Sequence, residues 1–138
     1  MLVNLQRKIK LDTKTFKAFV SSLQTEIEDV AGRDFSVAFI SDRRMKELNG
    51  FFRGKDSTTD VLSFPHEPDE FDDEANLGDI VISVEQAQKQ AKENELTLEN
   101  EIKQLILHGL LHLCGHDHET DDGEMNKREL QLRRKLGI

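Results

Sequence analysis

The stretch from Thr97 to His118 constrains this chain most, because an apolar stripe there runs straight into a cluster of histidines. Leu98, Ile102, Leu105, Ile106, Leu110 and Leu113 keep helical spacing, and from Leu105 onward the pattern is apolar nearly all round. A helix without a polar face has to be covered on every side, so this one is expected at the centre of the fold. Thr97 is suited to cap its start, with Glu99 and Glu101 in a first turn where the helix dipole favours acids. His108 and His112 stand four apart at the edge of the stripe, so both project from one side toward a cleft beside the core. Gly115 can turn the chain in a left-handed conformation and bring His118 back to the same point. Three neutral imidazoles converging in this way would supply three ligands of a tetrahedral zinc ion and leave the fourth position open for chemistry.

Histidines at i, i+4 and i+10 with glycine at i+7 match the spacing of the metzincin zinc proteases, with one departure. The residue directly after the first histidine is a glutamate base in that pattern and Gly109 here. A glycine cannot take a proton from water, so the usual route of peptide hydrolysis lacks its base. Cys114, beside the histidines, is either a fourth ligand or a small buried side chain.

The formal charge of −8 argues at first against nucleic acid. Its distribution says otherwise. Seven acids and no base lie between Glu67 and Asp79, and the remaining residues sum to −1. Lys127, Arg128, Arg133, Arg134 and Lys135, against Glu129, make a local excess of +4, and the segment from Asp42 to Asp56 makes another of +2. A basic groove is compatible with these numbers, as are solvated helix faces. At 138 residues the chain is expected to form one domain, residues 1–138, with a core large enough to need no disulfides. A single cysteine, no apolar run near the roughly 20 residues of a membrane span, and no apolar signal segment at the amino terminus predict a cytoplasmic protein.

The remaining elements follow from periodicity. Residues 2–9 read as a strand, and Asp12 or Thr13 caps a helix carrying Phe16, Phe19, Val20, Leu23, Ile27 and Val30 that Gly32 stops. Phe35, Val37 and Phe39 alternate as a strand, and Ser41 caps a short helix with Met45 and Leu48 that ends at Asn49-Gly50. A polar loop leads into a strand from Val61 to Phe64, and the charged segment after Pro65 is a loop. Leu77 to Ser83 is another strand, and Ser83 with Gln86 caps a polar surface helix. Acids from Glu119 to Glu124 precede bases from Lys127 to Lys135, the charge order of a terminal helix with Met125, Leu130, Leu132 and Leu136. There is no Gly-x-Gly-x-x-Gly and no P-loop motif. Strands and helices mix without βαβ alternation, which predicts an α+β domain with helices around a small mixed sheet and the metal-binding helix at its centre.

Three segments, in order, carry a resemblance to a known family. They are Asn49-Gly-Phe-Phe-Arg53 with Thr59-Asp-Val-Leu-Ser-Phe-Pro65, then Leu77-Gly-Asp-Ile-Val-Ile-Ser83, then His108-Gly-Leu-Leu-His-Leu-Cys-Gly-His-Asp-His118. In these the chain resembles the YbeY-type rRNA maturation factors, bacterial single-strand-specific endoribonucleases. The resemblance implies one zinc ion on His108, His112 and His118, with Arg53 as the functional arginine of the cleft. It also implies a role in maturing the 3′ end of small-subunit (16S) rRNA and in ribosome quality control, with the small ribosomal subunit, the GTPase Era and a small-subunit ribosomal protein as partners. Position 116 varies in that family, so His116 stays a local alternative ligand and not an inherited one.

On this reading Arg53 holds the scissile phosphate by its two-pronged guanidinium, with water or the substrate 2′-hydroxyl as nucleophile. An ion pair of Arg53 with Asp56 or Asp60 is the plainer alternative. Asp60 and Asp79 are candidates to orient a zinc-bound histidine through its second nitrogen, or else cap turns. Thr59 and Ser63 offer phosphate hydrogen bonds or satisfy backbone groups. Phe51 and Phe52 are candidates for stacking on single-stranded bases, against an ordinary role in the core. Two rival functions stand beside the nuclease: a metal-dependent hydrolase of a non-RNA substrate, and a non-catalytic zinc-containing ribosome-assembly factor.

Overall fold

The computed structural model describes residues 1–67, 75–116 and 122–138. In chain order the elements are β1 (Leu2–Asn4), α1 (Thr13–Glu26), β2 (Asp34–Ile40), α2 (Asp42–Arg53), β3 (Val61–Pro65), β4 (Asn76–Ser83), α3 (Val84–Glu93), α4 (Leu98–Leu113) and α5 (Glu124–Leu136). The strands form one mixed sheet in the order β1-β2-β4-β3, with β1, β2 and β4 parallel and β3 antiparallel to β4. The architecture is therefore α+β.

Alternation in β2 and β4 sends Phe35, Val37, Phe39, Ile80 and Ile82 to one face, all at most 1% exposed. These join Phe16, Val20 and Leu23 of α1 and the apolar residues of α4 in the main core. Because α4 presents nine buried residues, including Leu105, Ile106, Leu107, Leu110 and Leu111, it is the central helix its composition predicts. The other face of the sheet carries a smaller cluster in which Ile40, Met45 and Leu62 meet under α2.

Several boundaries differ from the periodicity reading. Strand β1 stops at Asn4, because the Gln6 side chain folds back, donating to Asn4 Oδ1 and Ile9 O and accepting from the Ile9 amide. Helix α1 ends at Glu26; Ile27 and Val30 stay in the core but lie in the turns beyond it. Helix α2 does not end at Asn49-Gly50. It continues through Phe51 and Phe52 to Arg53 and is closed by Gly54 in the left-handed conformation, φ 65°. Asn49 is 1% exposed, and its amide donates to Ser57 O at 2.8 Å, so the position suits a helix that pins the following loop rather than a helix stop.

That loop is held at its far end too. The Asp42 carboxylate accepts from the Ser83 hydroxyl at 3.1 Å, from Gln86 Nε2 at 3.2 Å and from the Thr58 hydroxyl, while the Ser83 amide donates to Asp60 O at 2.9 Å. One carboxylate thus ties the entry of α2 and the start of α3 to the residues just before β3.

Candidate functional site

Helix α4 brings His108 and His112 to the same place. Their Nε2 atoms lie 3.2 Å apart, with the rings edge to face, 4.8 Å between centroids. Two nitrogens each about 2.0–2.1 Å from one tetrahedral zinc stand about 3.3–3.4 Å apart, so the pair has the separation a shared metal requires. Among the described residues no third His, Cys, Asp or Glu completes a metal-binding group. His118 lies outside the described residues, as do Asp117 and most of the acidic segment after Glu67.

The histidines are fixed from behind by a residue that the periodicity reading did not single out. Glu129 of α5 is 5% exposed, and its Oε1 is 2.6 Å from His108 Nδ1. Its Oε2 accepts from Arg133 Nη2 at 2.5 Å. A carboxylate at Nδ1 holds the imidazole as the Nδ1–H tautomer and leaves the Nε2 lone pair facing His112. Asp60 and Asp79, the candidates for that task, are used otherwise. The Asp60 carboxylate accepts from the Val61 amide at 2.8 Å and from the Thr59 hydroxyl at 3.3 Å, capping the start of β3. Asp79 is exposed on β4, beside an apolar groove lined by Phe52, Phe64 and Val81.

The helix can approach β3 and β4 closely because residue 109 has no side chain. A Cβ on Gly109 would stand 2.8 Å from Ile80 Cγ2 and 3.1 Å from Ser63 Oγ, and the Ser63 hydroxyl donates to Gly109 O at 3.1 Å. The place of a metzincin base is therefore filled by the sheet. Ser63 satisfies the helix backbone, one of its two expected roles.

A cleft of about 620 Å³ opens over the histidines, lined by Arg53, Thr59, Asp60, Ser63, His108 and His112 among others. Arg53 stands on the last turn of α2 at its rim, exposed. Among the described residues it makes no ion pair, and Asp56 is paired instead with Lys46 at 3.7 Å. The pinned loop from Gly54 to Asp60 sets one wall.

His116 also lines the cleft, but its Nε2 sits 3.0 Å from Asp29 Oδ2. Arg128 of α5 donates to Asp29 Oδ1 from Nε at 3.1 Å and from Nη2 at 2.7 Å. Burial on its own would raise the pKa of Asp29; the hydrogen bonds from Arg128 and His116 outweigh it and hold the carboxyl below its ordinary value. Cys114 caps the end of α4 against the core, and burial pushes its thiol up to about 11, opposed by the charge of Arg33 and reinforced by that of Asp29. A thiol so placed suits a small, half-buried side chain packed against the core.

Phe51 and Phe52 are not core. They are 82% and 57% exposed, stacked edge to face with each other, and Phe52 packs likewise on Phe64 at 4.9 Å. Much of the basic excess serves structure: Arg128 and Arg133 hold the two carboxylates above, Lys135 donates to Glu26 O at 2.8 Å, and Arg43 and Arg44 face Glu47. No helix among the described residues is long and apolar enough to cross a membrane.

Comparison with known proteins agrees with this architecture. The family model described as Endoribonuclease YbeY matches residues 1–137. The chain is 42% identical over 131 residues to the Endoribonuclease YbeY of Nautilia profundicola, covering 94% of this chain and 92% of that protein. It is 41% identical over 145 residues to the protein of that name from Alkaliphilus metalliredigens, covering 98% and 93%. The solution structure of TM1509 from Thermotoga maritima superposes with a TM-score of 0.67 at 29% identity, covering 99% of this chain and 90% of that one. With matches along nearly its whole length in sequence and in fold, this chain belongs to the YbeY endoribonuclease family.

Proposed function

We propose that this protein is a zinc-dependent endoribonuclease that cuts single-stranded RNA in the cleft between α2, β3 and α4. The observation that carries the reading is the convergence of His108 and His112, Nε2 to Nε2 3.2 Å, beneath a cleft whose rim holds an arginine without an ion pair among the described residues. His108, His112 and His118 would hold one zinc ion, since imidazole suits that metal and the helix supplies two ligands at its spacing. When bound, zinc supplies Lewis acidity, polarising a phosphoryl oxygen and acidifying water toward neutrality.

The chain's own residues supply the rest. Arg53 binds the phosphate by two parallel hydrogen bonds and neutralises charge that builds on its oxygens. Thr59, whose hydroxyl donates to the neighbouring Asp60, lines the wall of the cleft that the bonds of Ser57, Thr58 and Asp60 to Asn49, Asp42 and Ser83 hold in place. Phe51 and Phe52, exposed beside Arg53, offer faces on which unpaired bases stack, which favours single strands over duplex. Peptide hydrolysis is disfavoured because Ile80 and Ser63 occupy the space of the missing base at Gly109.

Family membership supports rRNA as the substrate, specifically the 3′ end of small-subunit (16S) rRNA, with a part in ribosome quality control. On the same ground the small subunit, one of its proteins and the GTPase Era are the proposed partners, in the cytoplasm. The test is cleavage of a single-stranded RNA by zinc-loaded wild type beside His112→Ala and Arg53→Ala, purified identically. Cleavage that disappears in both folded variants supports the reading. Equal cutting by all three, or RNA binding without cutting, overturns it in favour of a zinc-containing assembly factor.

A further inference from the structure

We propose that Glu129, braced by Arg133, is the positioning residue that fixes His108 for metal binding, an inference that rests on the metal reading above. A carboxylate only 5% exposed is costly to bury unless its oxygens are satisfied. Here the two oxygens are divided: Oε1 is 2.6 Å from His108 Nδ1, and Oε2 accepts from Arg133 Nη2 at 2.5 Å. Both bonds have an ionised acceptor, which makes them charge-assisted and stronger than neutral ones.

The division explains the arrangement better than a plain ion pair along α5 would. Glu129 and Arg133 stand four apart on one helix, and such a pair needs no burial and contributes little when solvated. Glu129 instead points inward and reaches α4, 21 residues back in the chain. The effect on His108 is specific. With Nδ1–H donated to the carboxylate, the ring cannot flip without losing that bond, and its Nε2 lone pair is kept toward Nε2 of His112. The carboxylate also makes the imidazole a better donor to a cation. Arg133 acts one step further out, restraining the carboxylate and offsetting its charge.

The test is zinc affinity, by competition against a chromophoric chelator, together with the visible spectrum of the cobalt(II)-loaded protein. Wild type, Glu129→Gln, Glu129→Ala and Arg133→Ala are compared, with folding of each metal-free protein followed by circular dichroism. Glu129→Gln keeps the size and one acceptor oxygen but removes the charge, so it tests the carboxylate without the cavity that Glu129→Ala leaves. The expected result is a graded weakening of zinc binding, about 10–100-fold for Glu129→Ala and less for Glu129→Gln and Arg133→Ala. The cobalt bands of Glu129→Gln should shift from those of wild type. Folded Glu129→Gln and Arg133→Ala with zinc affinities within twofold of wild type and unshifted cobalt spectra would overturn the proposal while leaving the metal site standing. A wild type that takes up neither zinc nor cobalt would overturn both.

Discussion

Replacing Gly109 by alanine separates two opposing effects whose sizes can be set against each other. In the interior of a helix, alanine is favoured over glycine by about 1 kcal/mol, and on an open face the change stabilises. At position 109 the new methyl would stand 2.8 Å from Ile80 Cγ2 and 3.3 Å from Ile80 Cγ1. Ile80 is fully buried in β4, and its Cγ2 is attached directly to Cβ, so it cannot swing aside as the end of a long side chain would. Overpacking of this kind costs about 1–3 kcal/mol, so the net expectation is destabilisation of about 1 kcal/mol. Gly50→Ala is the internal control. That glycine is also helical, and a Cβ there meets only Lys55 O at 3.6 Å, so it should gain up to about 1 kcal/mol. Urea unfolding of the two variants should place them about 2 kcal/mol apart with unchanged m-values. Adding Ile80→Ala to Gly109→Ala should cost less than the sum of the two changes, with a coupling of about 1–2 kcal/mol. If Gly109→Ala stabilises as much as Gly50→Ala, the close approach of α4 to β4 is wrong, and with it the explanation for the missing base.

Arg53→Lys keeps the charge but loses the fork, so RNA cleavage should fall about 10–100-fold, and Arg53→Ala about 100–1000-fold. Both should unfold within about 0.5 kcal/mol of wild type, since Arg53 is exposed; a larger loss of stability would mean that the residue serves the fold. Asp29→Asn should lower stability at pH 7 by about 1–3 kcal/mol, measured by denaturant unfolding. Because the folded-state pKa of Asp29 is depressed, that contribution is complete above its unfolded value of about 3.8 and is lost as pH falls through the lower folded value. The gap between wild type and variant should therefore close in acid, and a gap unchanged down to pH 2 would contradict the ion-pair assignment. Zinc at a hundredfold excess over its dissociation constant should stabilise wild type by about 2.7 kcal/mol, an increment that EDTA removes and His112→Ala never shows.

The central helix was legible because nothing else explains an apolar surface all round, and the spacing of His108 and His112 survived unchanged into the structure. Strand β2 was legible because alternation leaves one face to bury, and β4 because a short apolar run ends at a serine suited to cap the next helix. The end of α2 was not. Asn49-Gly50 is a stop signal in local terms, but Met45 beneath it and the bond from Asn49 to Ser57 reward continuing, and so Arg53 arrives on a helix and not in a loop. Glu129 was illegible for a different reason. In a helix crowded with bases, a glutamate four residues before an arginine looks like a surface pair, and only the packing of α5 on α4 turns it inward. Asp60 and Asp79 lie next to apolar strands, yet adjacency in sequence carries no direction: the Asp60 carboxylate takes the Val61 amide and the Thr59 hydroxyl, and Asp79 is exposed on β4.

The contacts that steady the site reach across the chain: Glu129 to His108 spans 21 positions, His116 to Asp29 spans 87, and Arg128 to Asp29 spans 99. Polypeptides are made from the amino end, and α5 supplies both Glu129 and Arg128. A nascent chain that has delivered α4 but not α5 carries its histidine pair without the carboxylate behind it and its Asp29 without the arginine. Assembly of the cleft thereby waits until α5 has been made, and a chain truncated before residue 124 would keep the motif yet lose the frame that aims it.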